Sequence, residues 1–129
     1  MQGGKFVILC VDDDPDVLVS LKIVLEARGY IVVTASDAKQ GMQAFQESKP
    51  DVAIIDLMME EIDTGTKLAK EIQSIDKNVP IYMLSSTGDY LHGAIDTTTL
   101  GLAGVFQKPL NPNVLLGLLQ AKLGKNAAS

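Results

Sequence analysis

The sequence predicts a doubly wound α/β domain: a five-stranded parallel sheet with helices on both faces. Three observations lead there. Five short apolar runs rich in β-branched residues lack polar alternation, as strands buried on both faces do. Segments with apolar residues at helical spacing separate these runs, so a strand–helix unit repeats five times, and right-handed crossovers then distribute the helices over both faces. Acids, hydroxyls and a lysine gather at the carboxyl ends of the runs, where open α/β sheets bind their ligands.

The first run, residues 6–11, ends in Asp12-Asp13-Asp14. Asp14-Pro15 reads as an N-cap with proline in the first helical position. Val17, Leu18, Leu21, Val24 and Leu25 then form one apolar stripe, and Gly29 supplies a C-terminal stop. Ile31, Val32 and Val33 make the second run, which ends in Thr34, Ala35 and Ser36. A second helix starts at Asp37, sets Ala38, Gly41, Met42 and Phe45 on one side, and stops before Pro50. The third run, residues 52–55, leads to Asp56, and a helix with Leu68, Ile72 and Ile75 inward stops before Pro80. The fourth run, residues 81–84, ends in Ser85-Ser86-Thr87, and Leu91, Ala94, Ile95 and Thr98 mark a fourth helix. A weaker fifth run, residues 103–106, leads to Lys108-Pro109. Asn111-Pro112 then repeats the cap-plus-proline signal, with Leu115, Leu118, Leu119 and Leu123 on the apolar side.

The 129 residues suit one domain, read as 1–129 with a core of about 5–124 between short polar termini. The net charge is −5 and Arg28 is the only arginine, so no basic patch for a phosphate backbone is visible and direct nucleic-acid binding is not expected. One cysteine, Cys10, cannot form an internal disulfide and fits a reducing compartment. Neither a signal peptide nor a membrane-length apolar run is present, so a cytoplasmic location without membrane contact is expected.

Taken singly, each strand-end residue has a structural reading. Asp14 is the helix cap, Ser85 and Thr87 suit a turn, and a lysine before proline is usually solvated. The combination is different. Asp12, Asp13 and Asp56 would converge on one rim, and two unit charges ~4 Å apart repel by about 4 kcal/mol at an effective dielectric of ~20. A divalent cation removes that repulsion. The all-oxygen donor set favours Mg²⁺, and no Cys/His set has zinc spacing.

With these residues in place the chain resembles a response-regulator receiver domain of two-component signalling, over essentially its whole length. The resemblance rests on Val11-Asp12-Asp13-Asp14-Pro15, on Pro50-Asp51 leading to Asp56-Leu57-Met58-Met59, on Ser85 and on Lys108-Pro109. Their ordered spacing is 43 residues from Asp13 to Asp56, 29 to Ser85 and 23 to Lys108. It implies a flavodoxin-like sheet of strand order 2-1-3-4-5, which sets strands one and three side by side. It also implies roles. Asp56 is the phosphoacceptor, attacking a phosphohistidine on a sensor histidine kinase or phosphotransfer protein. Asp12, Asp13, Asp56 and the backbone carbonyl of Met58 hold Mg²⁺. Lys108 pairs with a phosphoryl oxygen, and Ser85 hydrogen-bonds another as the switch. A stand-alone switch of this type would act through a further protein partner, by resemblance on the surface of the fourth helix, fifth strand and fifth helix.

The chain departs from the family pattern at two places. The aromatic commonly found three residues before the lysine is Val105 here, and the neighbouring Phe106 should point to the opposite sheet face. In the loop after the acceptor, Glu60 stands where proline is frequent, and Asp63-Thr64-Gly65 makes that loop look one residue longer. Two other functions compete with the switch. One is a degenerate receiver acting as a phosphorylation-independent binding module. The other is an aspartate-nucleophile phosphatase, whose motif fails because Asp16 stands where Thr or Val is needed. An EF-hand reading of Asp12, Asp14 and Asp16 fails at Val17 and Ile23. His92 is read as an exposed helical residue and Cys10 as a buried hydrophobe.

Overall fold

The computed structural model describes residues 3–56, 64–85, 103–107 and 110–124. The fourth helical pattern, with His92, and Met58, Glu60, Thr87 and Lys108 lie outside the described residues. Five strands form one parallel sheet: β1 (Val7–Val11), β2 (Ile31–Ala35), β3 (Val52–Asp56), β4 (Ile81–Ser85) and β5 (Gly104–Gln107). Their order is β2-β1-β3-β4-β5, as the resemblance implies. Every position of β1, β3 and β4 is buried, which accounts for their unbroken apolar sequence. β2 lies at an edge, so Ile31, Val32 and Val33 are only half-buried and Thr34 is exposed.

Alternation along the strands builds two cores. Leu9, Val11, Ala53, Ile55 and Met83 face α2 (Ala38–Ser48) and α3 (Thr64–Ile75), meeting Phe45, Leu68 and Ile72. Ile8, Cys10, Ile54, Tyr82 and Leu84 face α1 (Pro15–Glu26) and the C-terminal helix (Pro112–Leu123), meeting Leu21, Leu25, Leu115 and Leu119. Val105 packs with the first core and Phe106 with the second, as alternation requires. The Phe106 ring lies 5.3 Å from that of Tyr82, tilted by 35°.

The helix starts follow from the caps read in the sequence. Asp14 Oδ1 accepts from the Asp16 N–H at 2.9 Å, Asp37 Oδ1 from the Gln40 N–H at 2.7 Å, and Asn111 Oδ1 from the Asn113 N–H at 3.0 Å. Gly29 terminates α1 as the sequence predicts: at φ +86° its N–H donates to the Glu26 carbonyl at 3.0 Å, while the Tyr30 N–H donates to the Leu25 carbonyl at 3.2 Å. Three details differ from expectation. Thr64 and Gly65, read as loop, belong to α3. Ile75 is 56% exposed although it lies below Leu68 and Ile72 on the same side of α3, because it is the last residue of the helix. Leu118 is 44% exposed, on the side of its helix away from the half-buried Leu116 and Leu123.

Gly117 shows how little the outer side of the C-terminal helix constrains the chain: a Cβ built there meets nothing within 4 Å. Gly117→Ala is therefore expected to raise the free energy of unfolding by about 0.4–1 kcal/mol. Leu25→Ala, at a fully buried position, is expected to lower it by about 2–5 kcal/mol. Urea denaturation of both variants checks the pair.

A candidate metal centre at the carboxyl edge of the sheet

β1 and β3 pair in parallel with Val11 opposite Ile55. Carried one residue on, that register sets Asp12 beside Asp56. Asp56 is itself the last residue of β3, paired with Leu84, so Ser85 closes the adjacent strand one step beyond. At the other end of the same strands Asp51 holds this alignment. Its Oδ2 accepts from the Val7 N–H at 2.8 Å, and its own N–H donates to the Val7 carbonyl at 2.8 Å.

The carboxyl edge is held as firmly. The Asp12 N–H donates to the Ala35 carbonyl at 3.1 Å, which extends the β1–β2 pairing by one residue. Asp12 Oδ1 accepts from the Asp14 N–H at 2.9 Å, turning the chain toward α1. Asp12 and Ser85 are fully buried and Asp56 is 3% exposed, while Asp13 stands open to solvent.

One oxygen from each of Asp12, Asp13 and Asp56 lies within 4.8 Å of the other two. At that separation two carboxylates repel by about 3.5 kcal/mol at an effective dielectric of ~20. Oxygens on opposite sides of Mg²⁺ are ~4.2 Å apart, since each sits 2.0–2.1 Å from the ion. A small inward movement of the three side chains therefore suffices for them to share one such cation, and the hard, anionic donor set suits it. The structure groups Asp12, Asp13 and Asp56 and sets Ser85 at the end of the adjacent strand, whereas Met58 and Lys108 fall outside the described residues. The Ala35 carbonyl that anchors Asp12 was not foreseen, since a backbone acceptor leaves no mark in the sequence.

Residues 8–120 match the family model of the response regulator receiver domain. The chain belongs to that family. Among curated proteins it is similar to the transcriptional regulatory protein GlrR of Escherichia coli, 33% identical over 120 residues that span 93% of this chain and 27% of that protein. It is also similar to the DNA-binding response regulator MtrA of Mycolicibacterium smegmatis, 31% identical over 119 residues, 92% of this chain and 51% of that protein. The chain thus spans a quarter to a half of the length of these relatives. Two solved structures are alike from end to end. A response regulator receiver domain protein from Clostridium thermocellum aligns with a TM-score of 0.81 at 30% identity, over 90% of this chain and 92% of the other. The chemotaxis protein CheY4 of Vibrio cholerae aligns with a TM-score of 0.79 at 30% identity, over 92% and 99%.

This receiver is homologous to response regulators of two-component systems, and receiver domains bind Mg²⁺ at an acidic pocket of this kind. Among the described residues, no helix is long and apolar enough to cross a membrane.

Cys10, two residues before Asp12, feels the site without joining it. Burial first, and the Asp12 charge second, push its thiol from 9.0 up to about 12. The neutral thiol is thus favoured by folding. Its contribution to stability is complete below pH 9 and is lost as the pH rises toward 12, by about 1.4 kcal/mol per unit at most. In chelator, the unfolding free energy of the unaltered chain should fall more steeply over that window than that of Cys10→Ala. Parallel curves contradict the assignment.

Proposed function

We propose that this receiver accepts a phosphoryl group on Asp56 and changes its protein contacts in consequence. The observation that carries the reading is the meeting of Asp12, Asp13 and Asp56 at the carboxyl ends of β1 and β3, with the Ser85 hydroxyl on the next strand. An Asp56 carboxylate oxygen attacks phosphorus. The new O–P bond forms as the P–N bond of a phosphohistidine breaks, and the electron pair of that bond returns to the imidazole of the donor, a sensor histidine kinase or phosphotransfer protein. When bound, Mg²⁺ neutralises charge on the acceptor and phosphoryl oxygens. Asp12, Asp13 and Asp56, with the Met58 carbonyl, would hold it. Lys108 supplies a further positive charge to a phosphoryl oxygen, and Ser85 donates a hydrogen bond to another.

Asp56 is the acceptor because it is buried at a strand end with acids on one side and a hydroxyl on the other. Burial restricts the motion of the carboxylate and keeps bulk water from competing with the donor. The carboxylate is consumed once per transfer, so the chain acts as a signalling acceptor that assists its own phosphorylation and hydrolysis, and not as an enzyme with a separate substrate. With a net charge of −5 and a single arginine, the surface supports output through a protein partner in preference to direct contact with nucleic acid.

Intact-protein mass spectrometry after incubation with a small phosphodonor tests the reading. One added phosphoryl group is expected, dependent on Mg²⁺ and absent in Asp56→Asn, whose fold is retained. Ser85→Ala should still take up the group. No addition to the unaltered chain, with Mg²⁺ binding shown separately, would overturn the acceptor role in favour of a binding module.

A further inference from the structure

We propose that Gly41 is a positioning residue for the metal centre: its missing side chain lets α2 lie close enough to β1 and α3 to hold Asp12 at the distance the cation requires. This rests on the metal site proposed above. Gly41 sits in the interior of α2 and is buried, where glycine is unfavourable for a helix and no left-handed conformation calls for it. Space is what calls for it. A Cβ built there lies 3.0 Å from Leu68 Cδ2 and 3.2 and 3.3 Å from the two Cγ atoms of Val11.

The two neighbours differ in how they can yield. Leu68 Cδ2 is the far end of a flexible side chain and can rotate. Val11 is β-branched, so its methyl groups move only with the backbone of β1. That backbone is hydrogen-bonded on both sides, with Val11 paired to Ala35 of β2 and to Ile55 of β3, and Asp12 follows at once. A methyl group at position 41 must therefore shift the end of β1 or α2 by a few tenths of an ångström.

Lifting α2 reaches the same carboxylate by another route. The start of α2 is tied to the end of β2: the Ser36 N–H and hydroxyl donate to Gln40 Oε1 at 3.2 and 2.9 Å, and Asp37 caps the helix. The residue before Ser36 is Ala35, whose carbonyl accepts the Asp12 N–H. Either displacement moves Asp12 against Asp56, whose place on β3 is fixed separately.

Magnesium titrations followed by amide shifts of residues 11–14 test this on five chains: unaltered, Gly41→Ala, Val11→Ala, the double variant Gly41→Ala/Val11→Ala, and Gly117→Ala. Gly41→Ala should weaken Mg²⁺ binding by roughly tenfold, the scale seen when residues supporting metal ligands are changed. Gly117→Ala, also a helical glycine but in open space, should leave it unchanged. The double variant removes both Cγ contacts. Its affinity should return to within about threefold of the unaltered chain, whichever way the loss of buried methyl groups moves its stability. Metal affinity that recovers when a second buried position is cut back is the signature a merely structural role would not produce. If Gly41→Ala alone folds poorly, the double and Val11→Ala chains, both free of the Cγ contacts, are compared directly and should bind Mg²⁺ alike; a double variant more than about threefold weaker than Val11→Ala overturns the role. Unchanged affinity in folded Gly41→Ala, or a double variant that binds no better than the single, overturns the positioning role. Lack of saturable shifts in the unaltered chain removes the metal site itself, and the role of Gly41 with it.

Discussion

The parallel register of β1 on β3 is the constraint on which the rest of the molecule depends. It places Asp12 and Asp56 side by side at the carboxyl edge, with Asp13 beside them, against a repulsion of about 3.5 kcal/mol for a pair at 4.8 Å. The chain offsets this by making β1 and β3 the most completely buried strands, apolar on both faces and enclosed by two cores. Slipping the register by one residue would separate the acids, but it would also turn every core side chain of the strand to the wrong face. Asp51 pins the far end of the same pair by two hydrogen bonds to Val7. The strands that carry the charged edge are thus the ones that the two cores enclose.

The same sheet sets how a change at the edge can travel. Ser85 ends β4 opposite Gln107 of β5, so the hydroxyl stands between the acids and the edge strand. Three residues before Lys108 the side chain is Val105, packed in the core under α2 and α3, while the Phe106 ring stacks on Tyr82 on the other face. Aromatic bulk at this edge is therefore tied to the layer of α1 and the C-terminal helix. A ring turning at position 105 is not available to relay the state of Asp56.

Much of the fold was legible because central parallel strands and helix caps leave strong local marks. The runs of β1, β3 and β4 lack alternation because both faces are covered, and Asp14-Pro15, Asp37 and Asn111-Pro112 each cap the helix they announce. The strand order was not local information and came from resemblance. Leu118 misled because apolar spacing alone does not say where a stripe is centred, which depends on how the helix is rotated against the sheet, and Ile75 because spacing does not show that α3 ends there. At the site, Asp12, Asp13, Asp56 and Ser85 were legible as chemistry placed at strand ends. The Ala35 carbonyl was not, since any residue could supply it. Gly41 was visible only as one more small residue on an apolar face, until the distance to Val11 gave it a reason.

Denaturant unfolding of the unaltered chain and of Asp12→Asn, each in chelator and in saturating Mg²⁺, tests most directly whether the carboxylate edge is held under repulsion for the sake of a cation. Asparagine keeps the oxygen that accepts from Asp14 and removes the charge. Mg²⁺ should stabilise the unaltered chain, by about 2.7 kcal/mol at a hundred times its dissociation constant. Asp12→Asn should be the more stable chain in chelator and should gain little from Mg²⁺. A variant less stable than the unaltered chain in chelator, or one that gains as much from Mg²⁺, would contradict it.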